Sequence, residues 1–351
     1  DARRTTRARA TACNNPAGQE TIATTLGMPT TAAVAVARPA VQTDPRRADA
    51  RGVRRRAAAQ PVSSRHVGGR VQTRTPSRPS RVAAAAAAAA APPATTDRDV
   101  VLITGAAKGI GAACATLLAS QGWSVAINHR ASSKPDADAL VASILASGGH
   151  AAAFEADVSQ EPDVCAMFEA VRAWGALRGL VNNAGILRGP DGSASVADLN
   201  VADVEAIVAT NVIGPMLCTR EAMKLMSAKL NDDGRARGGS IVNISSGSAV
   251  IGRLLLYAAS KGALNSFQAG AVDELASHGI RINAVSPGMT NTDLVADVVP
   301  TFDFSKIPLG RIGEPEEIAA GVAFLLNETG SYCSGANIRM SGGRPPGTFL
   351  G

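Results

Sequence analysis

The sequence predicts an α/β fold: a doubly wound parallel sheet with helices on both faces, in a single domain over residues 99–351, preceded by a disordered N-terminal extension. Three observations predict it. Apolar, β-branched runs of strand length recur through the body, and amphipathic helical stretches separate them. The first such run, Asp99–Ile103, leads directly into a glycine-rich turn and a helix. The segment before Asp99 has no hydrophobic period at all.

That leader, residues 1–98, is rich in Arg, Ala, Thr and Pro and ends in poly-alanine and Pro92-Pro93. Such a composition buries too little apolar surface to offset its ordering entropy. It holds 17 of the 35 basic and 5 of the 29 acidic residues, so it carries +12 and the body −6. The basic character belongs to the leader, and a body that binds nucleic acid loses its electrostatic basis. Nucleic-acid binding through the leader requires that the mature protein keep it. An arginine-rich, acid-poor, hydroxyl-containing leader matches an organelle transit peptide, with a plastid favoured over a mitochondrion. If the leader is not part of the expressed protein, a cytoplasmic location follows. The five cysteines form no C-x-x-C pair and join no histidine cluster, so neither a zinc site nor a disulfide framework is expected. No uninterrupted run of 18 apolar residues suggests a membrane span.

Within the body, Gly105-Ala-Ala-Lys108-Gly109-Ile110-Gly111 follows the first strand, and the helix after it closes at Gly122. Glycines there let a backbone approach a pyrophosphate, and the helix N-terminus offers free N–H groups. A strand at 123–129, a helix at 136–147, a strand ending at Asp157, a helix at 162–174 and a strand at 178–185 continue the alternation. The second strand ends Asn128-His129-Arg130 with no carboxylate. Together with Lys108 in the glycine turn, Arg130 favours a ribose 2′-phosphate, hence NADP over NAD. Strands are also expected through Ser240–Ile244, at 279–288 and at 336–343, with a helix at 314–327.

Tyr257 precedes Lys261 by four residues in a segment of helical character, so both lie on one face. A free phenol, with a pKa of about 10, is a poor proton donor near neutrality, and a cation held nearby favours its ionised form.

Thr104–Gly111, Asn182-Asn183-Ala184-Gly185, Asn211, a serine pair before Tyr257-x-x-x-Lys261, and Ser286–Thr292 occur in that order. Together they resemble the compact single-domain branch of the short-chain dehydrogenase/reductase family, over about Asp99 to Arg344. The resemblance implies a Rossmann-like three-layer α/β/α domain. It places Gly105, Lys108, Gly109, Ile110 and Gly111 at the cofactor phosphates and ribose, and Asp157 and Val158 at the adenine. It sets Asn183, Ala184 and Gly185 along the cofactor, and Pro287, Gly288 and Thr292 over the nicotinamide. By the same resemblance Ser246 binds substrate, Tyr257 exchanges the proton, Lys261 lowers the tyrosine pKa and holds the nicotinamide ribose, and Asn211 holds a water relaying protons to Lys261.

One departure stands out. The interval from Ser246 to Tyr257 is two or three residues shorter than is usual in the family, and it carries Arg253 and three leucines. Ser245 or Ser248 could take the serine role in a rebuilt loop, and the leucines could face substrate or another subunit. Phe302 and Phe304 fall where the family keeps a lid.

The implied activity is NADP(H)-dependent hydride transfer to or from a small-molecule or carrier-bound carbonyl, with no metal. A 3-oxoacyl-[acyl-carrier-protein] reductase suits a plastid. The segments at 188–200 and 313–319 look closer to sugar- or polyol-dehydrogenase-like members. A non-catalytic NADP-binding sensor is the rival from another class, and a Ser-His-Asp hydrolase finds no nucleophile motif near its histidines. A homodimer or homotetramer through the long helices is expected.

Overall fold

The structure, a computed structural model, describes residues 98–230, 236–296, 299 and 302–344. The expected leader and its targeting role therefore lie outside the described residues, Arg98 excepted. Among the described residues, seven strands form one parallel sheet in the order β3-β2-β1-β4-β5-β6-β7. They are β1 (Asp99–Ile103), β2 (Ser124–His129), β3 (His150–Glu155), β4 (Ala176–Asn182), β5 (Gly239–Ile244), β6 (Ile280–Pro287) and β7 (Asn337–Met340). The order reverses between β1 and β4, and the crevice above the carboxyl ends of those strands is where such sheets take ligands.

Parallel strands need helical crossovers on both faces, and β1 meets the demand by alternation. Val101 and Ile103 enter one core, with helices α1 (Gly109–Ser120), α2 (Lys134–Ala146) and α8 (Pro315–Leu326). Val100 and Leu102 enter the other, with α3 (Glu161–Trp174), α5 (Gly214–Met226) and α7 (Leu255–Ser277). Cys114 and Cys218 lie in these cores, where burial pushes both thiols up to about 12. The predicted elements are all present. The strand expected to run through Gly185 stops at Asn182, and the one expected to reach Asp157 stops at Glu155.

Val201–Met226 is a near-continuous helix, long and apolar enough by composition to cross a membrane. Its apolar face has another use. Cys218, Ala222 and Met226 are buried in the second core, and a π-helical turn at Ala209–Ile213 divides the helix into α4 (Val201–Val208) and α5. Ahead of it, the loop over 188–200 is gathered around Asp203. Its carboxylate, fully buried, accepts from the backbone N–H of Asp191 (2.8 Å) and of Ser193 (2.6 Å). Hydrogen bonds from Ser193 hold that carboxyl down at about 2 against desolvation. Asn200 caps α4 by accepting from the Asp203 N–H at 2.9 Å.

The short interval after β5 is accommodated by backbone geometry. One helical turn, α6 (Ser248–Ile251), ends at Gly252, which is left-handed at φ 71°. Two residues later Leu254 is left-handed as well, at φ 62°, and it stands at the N-cap of α7. Its carbonyl accepts from the Ala258 N–H at 2.7 Å. Glycine tolerates that region, whereas leucine is strained by roughly 1–2 kcal/mol. Leu254→Gly is therefore expected to melt no lower than the parent, while β-branched Leu254→Val loses about 1 kcal/mol or more in urea unfolding. A Leu254→Gly variant markedly less stable than Leu254→Val would remove the strain from this account.

Candidate functional site

The glycine turn is held by side chains at the ends of β1, β2 and β4. Thr104 Oγ donates to the Val181 carbonyl and accepts from the Asn183 and Ala184 N–H groups, both at 3.0 Å. The Asn183 carboxamide donates back to the carbonyls of Thr104 (2.9 Å) and Gly105 (3.0 Å). Asn128, buried at the end of β2, accepts from the Gly105 N–H and donates to Phe154 and Ala156 on the β3 side. A Cβ on Gly105 would lie 2.9 Å from the Ala184 Cα, and one on Gly111 2.6 Å from the Asn183 Nδ2. Gly105 and Gly109 are also left-handed, at φ 60° and 55°. The turn is thus a bare-backbone cradle at the N-terminus of α1, where free N–H groups suit an anion.

A cavity of about 620 Å³ runs from this cradle over the carboxyl ends of β1, β4, β5 and β6. Gly105, Lys108, Gly109 and Ile110 line it, as do Arg130, Asp157 and Val158. Asn183, Ala184 and Gly185 border its floor, and Pro287, Gly288 and Thr292 its far wall. Gly111 does not line it. Its lack of a side chain matters for the fit against Asn183. Lys108 is half exposed at 3.3 Å from Asp136 and 3.9 Å from Asp293. Asp157 is turned into its own loop, accepting from the N–H and hydroxyl of Ser159.

Tyr257, Lys261 and Ser246 meet on the same cavity. The Ser246 hydroxyl acts on the Tyr257 phenol, favouring its ionised form. Ser245 and Ser248 are thereby set aside as the reactive serine. The Ser245 hydroxyl is buried and donates to Asn265 at 2.7 Å, and Ser248 contributes its N–H to Ser246 Oγ. The Lys261 ammonium lies 5.6 Å from the Tyr257 ring centre and donates to the Ile244 carbonyl at 2.7 Å. Lys261 is 3 % exposed, and burial brings its pKa down to about 8. Burial also raises the Tyr257 phenol, opposed by the Ser246 hydroxyl. The phenol stands above its ordinary value, and the expected lowering by Lys261 is not seen in this arrangement, where desolvation dominates.

Asn211 lies in the π-helical turn and is fully buried. Its carboxamide accepts from the Ile186 N–H (2.8 Å) and donates to the Ile186 carbonyl (2.9 Å) and to Ser260 Oγ (3.0 Å). The side chain is thereby committed to the loop after β4. A hydrogen bond also brings Ser227 to His278 at 2.6 Å, but Ser227 is fully buried at a helix end and accepts from the Lys229 N–H. That pair is a structural cap and no nucleophile.

At the end of the cavity away from Lys108, three arginines line the wall: Arg253, Arg339 and Arg344. The Arg344 guanidinium stands 5.1 Å from the Phe302 ring centre, and Phe302 meets Phe304 edge to face. Of the lid phenylalanines Phe302 lines the cavity and Phe304 does not, and of the three leucines only Leu254 does. Sequence reasoning assigned no role to Thr104, Asn128, Arg339 or Arg344. Thr104 stood inside a quoted motif, while the two arginines carried no local signal.

A family model described as enoyl-(acyl carrier protein) reductase matches residues 105–344. A cis-4-hydroxycyclohexanecarboxylate dehydrogenase of Sinomonas cyclohexanicum is 37% identical over 70% of this chain and 95% of its own. A 3-oxoacyl-[acyl-carrier-protein] reductase of Staphylococcus aureus is 36% identical over 69% and 96%. The crystal structure of a short-chain dehydrogenase from Burkholderia cenocepacia in complex with NADP superposes with a TM-score of 0.63. It is 33% identical and covers 70% of this chain and 96% of that one. With the cradle, the serine–tyrosine pair and the buried lysine all in one cavity, the chain belongs to the short-chain dehydrogenase/reductase family of oxidoreductases.

Proposed function

We propose that the chain catalyses reversible hydride transfer between NADP(H) and a carbonyl or secondary-alcohol substrate. The observation that carries this reading is the convergence of Ser246, Tyr257 and a buried Lys261 on the cavity that the glycine cradle opens into. The residues fit the cofactor. A side chain at Gly105 or Gly111 would collide with its surroundings, which keeps backbone alone against a pyrophosphate. Arg130, beyond β2, lines the cavity where a 2′-phosphate would need a cation. The Burkholderia structure, which holds NADP, supports the same choice.

When bound, the nicotinamide supplies or accepts the hydride. The rest falls to this chain. Ser246 and Tyr257 hydrogen-bond the reacting oxygen, where negative charge develops as a carbonyl is reduced. Tyr257 gives its proton to that oxygen and regains one in the reverse direction. A charged Lys261 close to the ring favours the phenolate left behind. The carrier-bound 3-oxoacyl thioester remains the first finer reading, supported by the Staphylococcus relative. A small hydroxy acid is the second, supported at 37% identity by the Sinomonas relative. Assembly into a dimer or tetramer through the long helices is supported by exposed Val201, Val208 and Ile213 beside the small residues of α7.

Tyr257→Phe removes the proton while keeping the ring, so turnover should fall by roughly 10²- to 10⁴-fold with the melting temperature unchanged. Unchanged turnover would reject the assignment. Lys261→Met should also be inactive, yet as stable as the parent or up to roughly 3 kcal/mol more stable at neutral pH. The sign follows from burial: the folded lysine is about 8 against 10.5 when solvated, so the parent carries the penalty below pH 8 and sheds it as the pH approaches 10.5. The stability gap measured in urea should close over that window. Arg130→Asp should cut kcat/KM for NADPH about tenfold or more and spare NADH. A parent enzyme that prefers NADH would overturn the cofactor choice.

A further inference from the structure

Leu254 is held in a backbone state that its own side chain resists. Among the described residues it is the one left-handed residue that is not glycine, at φ 62°. Two residues earlier the chain bends in the same way at Gly252, where glycine meets the requirement without strain. Leu254 opens α7 through its carbonyl, which accepts from the Ala258 N–H at 2.7 Å. Any residue offers that carbonyl, and glycine or asparagine would offer it with less strain. The helix start therefore does not call for a leucine.

Core packing does not call for it either. The side chain is 41% exposed, and it lines the cavity. A single exposed leucine is ordinary on a protein surface, but strain and exposure together at a cavity wall mark a functional position. Leu254 stands three residues before Tyr257, and both reach the same cavity from the first turn of α7. Ile251 from α6, Leu187 from the loop after β4 and Phe302 add apolar surface to that cavity. Ile251 lies close to the end of β6. A Cβ on Gly247 would be 3.7 Å from the Ile251 Cδ1 and 3.6 Å from the Pro287 carbonyl oxygen. Arg253 and Arg344 both have interaction partners, and Phe302 covers one face of the Arg344 guanidinium. Hydrocarbon is thus what the strained residue brings beside Ser246 and Tyr257.

Resting on the oxidoreductase reading above, we infer that Leu254 is a specificity-determining residue. The substrate it selects carries an uncharged hydrocarbon flank, alkyl or alicyclic, next to the reacting carbon, and Leu254 packs against that flank. A polyhydroxylated sugar or polyol is the class it disfavours. Each methylene buried against leucine adds a small, repeated gain in binding. A hydroxyl in the same place gives up water and finds no hydrogen-bond partner on the leucine. The backbone of Leu254 is fixed between Gly252 and α7 before substrate arrives, so little binding energy goes into ordering it.

The test measures NADPH oxidation with a homologous series, acetone to 2-octanone, and with the near-isosteric pair 2-butanone and hydroxyacetone. In the parent, kcat/KM should rise roughly two- to fourfold per methylene over the first members, and 2-butanone should exceed hydroxyacetone about tenfold. Leu254→Asn tolerates the left-handed backbone but presents an amide. It should flatten the series and bring the pair within about twofold, through KM more than kcat, while melting no lower than the parent. Leu254→Met, apolar and as strained as leucine, should keep the series steep. Selectivity then follows the side chain at 254 and stability follows its backbone tolerance, a separation that a purely structural leucine would not produce. A flat series in the parent, a preference for hydroxyacetone, or a slope that survives Leu254→Asn overturns the inference and leaves the oxidoreductase reading standing. A slope lost equally in the Met variant assigns the effect to the start of α7 and overturns it as well. If Leu254→Asn lowers the assembly mass in mass photometry with the slope intact, the leucine belongs to a subunit contact. No turnover of any ketone removes the oxidoreductase reading and this inference with it.

Discussion

A cation held out of water is the constraint around which this site is built. Lys261 sits at the floor of the cavity with its ammonium on the Ile244 carbonyl, and burial has already lowered its pKa to about 8. Desolvating an ammonium is costly unless its surroundings are fixed beforehand. Much of the local structure supplies that fixity. The end of β5 must present a carbonyl inward, and α7 must start early enough to place Lys261 beneath it. Next to Lys261 Nζ, Gly185 leaves room that a Cβ would fill at 3.6 Å. Asn211 clamps the loop beyond Gly185 through Ile186, and the π-helical turn provides the extra residue that aims it there.

The nucleotide half obeys a different constraint, the close approach of β1 and β4 at the reversal of strand order. Thr104, Gly105, Asn183 and Ala184 are bonded to one another across that gap, and Asn128 ties the same turn to β2 and β3. The two asparagines are structural members of the cradle. Asn183, which lines the cavity where the cofactor is expected, also shapes the turn around it. Backbone N–H and C=O groups left without strand partners at the sheet end are satisfied this way, at a cavity wall where unpaired groups would be costly.

What the sequence disclosed follows the range of the interaction involved. The strand–glycine–helix unit and the Tyr257–Lys261 pair were legible because each is local: a β-branched run, a turn that only glycine tolerates, and a four-residue helical spacing. The serine was left open between Ser245, Ser246 and Ser248, since the choice depends on Asn265 and Tyr257 arriving from α7. The shortness of the Ser246–Tyr257 interval could be counted in the sequence, but its consequence could not. It is absorbed as a left-handed leucine, a backbone state for which Leu254 gives no compositional hint. The arginine wall was illegible for the same reason. Arg253 and Arg344 lie far apart in the chain and meet only because β7 closes the sheet beside β6.

That division explains why overall identity stops short of a substrate. Relatives of nearly equal identity carry different substrates in their names. The wall facing the substrate is drawn from other places: a trimmed interval, the end of an edge strand and the turn after it. The trimmed interval and the turn lie outside the sheet, so each can change length or charge at small cost to folding. The strained Leu254 ties the two halves together. Left-handed residues at 252 and 254 turn the chain in the few residues available, and the residue between them, Arg253, is carried to the cavity wall. Shortening the loop and placing an arginine on the cavity wall are then one structural event.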